Sequence, residues 1–202
     1  MLTATYTLVA LSVEQTSMRA SLHVVRQLVQ QCYARQRALT EGQADYVCTS
    51  LRRLYEACQG RKLDRFLVPA LRRSGAGTGA NTEAEPLLIE LDMLSRSAAE
   101  SLAAACRLAA GAIDAEEDVD AFCMAVEHFC TALALRFDRE ERELFPIARG
   151  AIGGEAWFAV GQQMLAHEAY RAEHRARTPP PASRAARAEH GQRQSLHAAT
   201  MH

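Results

Sequence analysis

The residues best suited to chemistry form one charged run, Arg136-Phe137-Asp138-Arg139-Glu140-Glu141-Arg142-Glu143-Leu144-Phe145-Pro146. Arg136 and Glu140 are four residues apart, so on a helix they share one face about one turn from each other. Such a pair can be buried, because charge-assisted hydrogen bonds satisfy the guanidinium and the carboxylate together. Alternatively, both side chains reach water beyond the core and form a surface pair worth less than about 1 kcal/mol.

Apolar residues spaced three and four apart predict the helices that position this pair. The second helix is expected to start near Asp45, and Pro86 is expected in the first turn of the third helix. Short connections predict antiparallel neighbours, and therefore an all-α, up-down-up-down four-helix bundle. The four expected stripes are Met18, Leu22, Val25, Val29, Cys32 and Leu39; Val47, Leu51, Leu54 and Cys58, reaching toward Phe66 and Leu67; Leu87, Leu91, Leu94, Ala98, Ala105 and Leu108; and Phe122, Val126, Phe129, Leu133, Arg136, Glu140 and Leu144.

Changes in composition predict the domain limits. Residues 1–14 are expected to form an irregular N-terminal lead, and residues 15–177 the helical bundle. Within that domain, the glycine-rich stretch 74–82 predicts a loop, and residues from Glu155 to about Arg177 predict a short fifth helix. Residues 178–202 contain almost no bulky apolar side chain, which predicts a disordered tail.

Composition excludes several classes of function. The chain has 202 residues, a formal net charge of -1 and a pI near 6.7, so it carries no basic excess that would favour nucleic acid or an acidic membrane. The six cysteines contain no C-x-x-C pair, and no signal peptide is recognisable. These features predict a cytoplasmic protein with neither a nucleic-acid partner nor a membrane partner.

The run that ends at Pro146 resembles the metal-binding helix of hemerythrin-like (HHE cation-binding) domains, whose pattern is His-x-x-x-Glu-x-x-x-Leu-Phe-Pro. Glu140 holds the position of that family's glutamate, and Arg136 holds the position of its histidine. The segment 144–148 also echoes the segment 66–70, and a twofold repeat of this kind is typical of the family. The resemblance covers about Ser17 to Gln163, and it implies a bundle that holds two iron atoms between its helices.

The resemblance implies ligand positions that this chain fills poorly. The first helix of the family presents an inward histidine, where this chain has Leu22, and His23 beside it is the best remaining candidate. The corresponding positions of the second and third helices hold no histidine, although Glu90 on the third could offer a carboxylate. The metal candidates, if a site survives, are His23, Glu90 and Glu140.

These substitutions predict a hemerythrin-like protein that has lost its di-iron site. The cation of Arg136 would take the electrostatic role of the metal, and it would repel a metal ion because arginine stays protonated. We therefore expect no cofactor and no enzymatic activity, but an interaction or regulatory module with an unknown protein partner. A homodimer formed through Trp157 and Phe158, or through the cysteine-containing faces, fits the same reading.

The alternative is an iron-binding hemerythrin-like protein with an altered site. His23, Glu90, Asp92 and Glu140 would supply a nitrogen and oxygen donor set of the kind that iron, manganese or zinc accepts. By resemblance alone, such a protein would serve in oxygen or iron sensing, or in iron storage.

Overall fold

The computed structural model describes residues 2–36, 40–75, 80–111 and 116–177. All its elements in these ranges are helices, which confirms the all-α class, and none of them is long and apolar enough to cross a membrane. They are α1 (Leu2–Gln36), α2 (Glu41–Gln59), a first π-helical turn (Leu63–Leu67), α3 (Val68–Gly75), α4 (Ala80–Ala110), α5 (Glu116–Arg139), a second π-helical turn (Glu140–Leu144), α6 (Phe145–Ala151) and α7 (Gly154–Arg177).

The chain divides into two compact units, Met1–Gly161 and Gln162–His202. The described part of the second unit is the C-terminal portion of α7. The whole of α7, Gly154–Arg177, matches the predicted fifth helix. The predicted tail, residues 178–202, lies outside the described residues.

The helices of the first unit pack around a common core. Helix α4 packs along α5, α1 packs against both α5 and α2, and α2 in turn packs against α4. The predicted stripe of the fourth helix is confirmed along its whole length, including its two charged members. Its residues Phe122, Val126, Phe129, Leu133, Arg136, Glu140 and Leu144 are all buried.

The prediction of an irregular lead over residues 1–14 is wrong, because α1 begins at Leu2. The buried stripe continues toward the N-terminus, where polar Thr7 and Gln15 interrupt the apolar pattern in the sequence and hide it. A Cβ placed on Gly161 would meet side-chain atoms of Thr3 and Thr7 at 3.5 and 3.6 Å, so the first turns of α1 lie against this glycine, the last residue of the first unit. The buried apolar residues of this segment are Ala4, Leu8 and Leu11.

Helix α2 begins at Glu41 and not near Asp45, because Thr40 caps it. The Thr40 Oγ1 accepts from the Gln43 backbone N–H at 3.3 Å, and the Gln43 Oε1 accepts from the Thr40 backbone N–H at 3.0 Å. This reciprocal capping box satisfies backbone donors that the first turn of a helix otherwise leaves without partners.

Helix α4 also begins earlier than predicted. It starts at Ala80, so Pro86 lies inside the helix and not in its first turn. The earlier start lets Ala84 join the core, where only 1% of its surface is exposed. Of the predicted loop 74–82, residues 76–79 lie outside the described residues and the remainder is helical.

Two leucines of α5 test this packing. Leu133 is fully buried, whereas Leu135 has 45% of its surface exposed. We expect Leu133→Ala to lower the free energy of unfolding by about 2–5 kcal/mol, because it removes buried methyl groups and leaves a cavity. Leu135→Ala should change it by less than about 0.5 kcal/mol. Urea denaturation followed by circular dichroism measures both, and equal losses would contradict the placement of α5.

Candidate functional site

Two π-helical turns lie at equivalent places in the chain, and each ends at the leucine of a Leu-x-Pro sequence. The Val68 N–H donates to the Leu63 carbonyl, and the Phe145 N–H donates to the Glu140 carbonyl, both across five residues. A proline follows in each case and cannot donate an N–H of its own, which favours such a local departure from the α-helix. The echo between residues 66–70 and 144–148 in the sequence is therefore an echo in backbone geometry, and the second π turn begins at Glu140.

The Glu140 carboxylate has no exposed surface and accepts four hydrogen bonds. Gln15 Nε2 donates to Oε2 at 2.5 Å, and Arg61 Nη1 donates to the same oxygen at 2.6 Å. Arg61 Nη2 donates to Oε1, and Arg136 Nε donates to Oε1 at 2.9 Å. A carboxylate offers about four acceptor positions, so this one is saturated.

The two guanidiniums are also buried, with 1% of Arg61 and 7% of Arg136 exposed. Burial opposes the charge on Arg61, but its hydrogen bonds to Glu140 and the charge of that carboxylate outweigh burial. The pKa of Arg61 therefore lies above its ordinary value. The Arg61 guanidinium also lies 5.1 Å from the ring centre of Phe137, within the range of a cation–π contact.

Asp64 and Ser95 complete the arrangement. Arg136 Nη2 donates to Asp64 Oδ1 at 2.6 Å, and Arg61 Nη2 lies 3.4 Å from Asp64 Oδ2. Arg136 Nη1 donates to Ser95 Oγ, which in turn donates to the Leu91 carbonyl at 3.0 Å. We call Gln15, Arg61, Asp64, Ser95, Arg136 and Glu140 the buried charge network. Its two arginines balance its two carboxylates, so its formal charge is zero.

The network reaches a cavity of about 380 Å³ beside α4. Asp64, Ser95 and Arg136 line this cavity, and the Asp64 side chain is 33% exposed. Glu140 and Arg61 lie deeper and have no comparable access to solvent. Water can therefore reach one edge of the network, while its central carboxylate stays dry.

The buried pair predicted for Arg136 and Glu140 is confirmed, since both side chains are buried and bonded. The other members of the buried charge network were not predicted. Arg61 and Gln15 lie 79 and 125 residues from Glu140 in the chain. One signal was present in the sequence, because Gln15 falls in the spacing of the apolar stripe of α1. Arg61 had none, because it enters the core only where α2 ends at Gln59 and the chain turns at Gly60.

The structure does not bring the three predicted metal candidates together. His23 lies on the exposed side of α1, because its neighbour Leu22 holds the inward position and one residue turns the direction by about 100°. Glu90 is half-buried and accepts from Arg139 Nη2 with both oxygens, at 2.5 and 2.6 Å. Only Glu140 lies in the core.

The residues around Glu140 do not fit a metal ion. Its four donors are N–H groups, and a guanidinium carries no lone pair for a cation to use. Within the described ranges, no group of three or more histidine, cysteine, aspartate or glutamate side chains is placed to hold a metal. Asp92 of the alternative donor set is exposed and pairs with Arg96 at 3.1 Å.

Comparisons with protein-family models, with curated proteins and with solved structures found no match to this chain. The hemerythrin-like resemblance therefore rests on the pattern of residues in the sequence alone.

Removing the charge of Glu140 should be strongly destabilising. In Glu140→Gln, the two arginines retain Asp64 as their one carboxylate in the network, and the new amide NH₂ faces their N–H groups. We expect a loss of about 3–5 kcal/mol in the free energy of unfolding, because a buried cation loses its partner. The control is Glu143→Gln, since Glu143 is 42% exposed and pairs with Arg139; its loss should stay below about 1 kcal/mol. If both variants lost less than about 1 kcal/mol in the free energy of unfolding, the burial of the Glu140 carboxylate away from water would be refuted.

A second substitution should partly repair the first. Arg61→Met added to Glu140→Gln removes the stranded cation and leaves the neutral pair of Arg136 and Asp64. We expect the double variant to be at least about 1 kcal/mol more stable than Glu140→Gln alone. Chemical denaturation of the four proteins of this cycle gives the coupling energy, and simple additivity of the two losses would refute the assigned pairing.

Proposed function

We propose that this protein is a hemerythrin-like four-helix bundle whose metal cavity is filled by its own arginines, and that it serves as a non-enzymatic interaction or regulatory module. The observation that carries the proposal is the buried Glu140 carboxylate, which two guanidiniums and one amide saturate. The neighbour relations of α1, α2, α4 and α5 agree with an up-down-up-down bundle, since each packs against two of the others.

The hydrogen-bond partners of the Glu140 carboxylate support the proposal of a hemerythrin-like bundle. In an iron-containing bundle, a glutamate at this position would bind metal in the core. In this chain the same carboxylate is bonded to two cationic side chains, Arg61 and Arg136. Two guanidinium groups, which carry permanent positive charges, therefore bind this carboxylate in place of metal ions. A metal ion would have to displace hydrogen-bonded guanidiniums that stay protonated at physiological pH.

The arrangement also supports a role without catalysis. The central carboxylate is saturated and dry, so it has no free lone pair to act as a general base and no proton to give. The wet edge at Asp64 and Ser95 is tied to Arg136. The chemistry of the network is therefore structural, and function is left to the outer surfaces of the helices.

Metal analysis of the full chain tests this function. The protein is purified without chelators, and its iron, manganese and zinc are measured by elemental analysis, with a visible spectrum recorded under oxygen. We expect far less than one metal ion per chain and no oxo-bridge absorption. Arg136→His serves as the matched variant and should remain metal-free, because Arg61 still donates hydrogen bonds to both oxygens of the Glu140 carboxylate. Stoichiometric iron in the unmodified protein would refute the proposal and favour the alternative of an altered iron site.

A further inference from the structure

The outward side of α1 carries no lysine, arginine, aspartate or glutamate at any described exposed position. There are thirteen such positions in the described part of α1. Charged residues make up 23% of the chain, so about three charged residues would be expected among them. We call these residues the α1 outer face. They are Thr5, Tyr6, Val9, Val13, Thr16, Ser17, Ala20, Ser21, His23, Val24, Gln27, Gln30 and Gln31. Depletion of charge is the compositional mark of the core of a protein–protein interface.

Apolar side chains form a line along this face. Tyr6, Val9, Val13 and Val24 have 62%, 55%, 65% and 61% of their surfaces exposed, and Ala20 lies between the last two. Their spacing follows the period of the helix, so they share one side over about 27 Å at 1.5 Å per residue. Single exposed apolar residues are ordinary, whereas several aligned on one side of a helix, interrupted here only by the uncharged Thr16 and Ser17, favour a contact surface.

Ion pairs border the face where α1 meets α5. Arg19 Nη1 lies 2.8 Å from Asp138 Oδ1, and Arg26 Nη2 lies 2.6 Å from Glu127 Oε1. Both arginines are therefore turned to the side and held there, which keeps their charges off the outer face. An uncharged centre beside a polar rim is the ordinary anatomy of a protein interface.

We propose that the α1 outer face is the contact between two copies of this chain in a twofold dimer. A twofold interface places one patch against itself, so the patch must not repel itself. The α1 outer face does not repel a second copy of itself, because it carries no fixed charge. Its rim does not do so either, because it contains both positively and negatively charged side chains. A strongly charged partner would find no complementary charge in the centre of the face.

The surface is slightly smaller than one side of a standard protein–protein interface. The thirteen residues of the face and six at the rim (Arg19, Arg26, Glu127, Thr131, Asp138 and Glu141) make nineteen. A stable interface uses roughly 20–30 residues on each side. This inference does not depend on the proposed function, because the α1 outer face lies on the opposite side of the helix from Gln15 and the buried charge network.

Sedimentation velocity of the full chain, from low to high micromolar concentration, tests the dimer. We expect a dimer in the unmodified protein. Val13→Glu should raise its dissociation constant at least about 100-fold, because the symmetry buries two like charges near the centre of the contact. The matched control is Met93→Glu, since Met93 is 52% exposed on α4 and lies outside the face. This control should leave the dissociation constant unchanged.

A second variant guards against a folding defect. Tyr6→Ala adds no charge, and it should weaken the dimer about tenfold while the helical circular dichroism stays unchanged. An unmodified protein that stays monomeric at high micromolar concentration would overturn the proposal. So would a dimer that resists both α1 variants, or one that Met93→Glu also separates. A monomer whose α1 shows slowed hydrogen exchange on addition of another protein would assign the face to that partner.

Discussion

The core of this protein is organised around one carboxylate that water does not reach. Burying a lone carboxylate is prohibitively costly, so Glu140 requires compensation from every direction. Four N–H groups from three side chains provide it, and these side chains come from α1, α5 and the turn after α2. One ionised group thereby ties together segments that are far apart in the chain.

Compensation in the network extends beyond Glu140. Two guanidiniums around one carboxylate would leave an excess positive charge in the core, and Asp64 removes it by contacting both. The network is not perfect, because Gln15 Oε1 and Arg61 Nε are buried without a hydrogen-bond partner among the described residues. Such groups cost about 1–3 kcal/mol each, so the network fixes a geometry at some expense of stability. This combination of many hydrogen bonds with a few unsatisfied buried groups agrees with a network that sets the relative positions of the helices.

The sequence alone was sufficient for the presence of the long helices and for one pair of the site, but not for the residues at which the helices begin. The apolar spacing located the buried face of α5 correctly, because a long helix repeats its pattern many times and single exceptions do not obscure it. Arg136 and Glu140 could be paired because helix geometry links residues four apart. Arg61 could not be found in this way, since its position depends on the turn at Gly60 and on the packing of α2 against its neighbours. The same limit explains α1, whose first turns were missed because Thr7 and Gln15 are polar residues in buried positions.

The second π-helical turn has a consequence for how this chain can vary. Such a turn amounts to one additional residue inserted into an otherwise continuous α-helix. Loss of one residue between Glu140 and Leu144 would therefore remove the additional residue and keep the inward faces of α5 and α6 in phase, with a kink at Pro146 because its ring does not fit a regular α-helical turn. A deletion of one residue elsewhere in α5 would instead rotate the following part of the helix by about 100° and turn buried side chains toward solvent. A deletion of one residue in this chain should accordingly be better tolerated at this turn than in the helix before it.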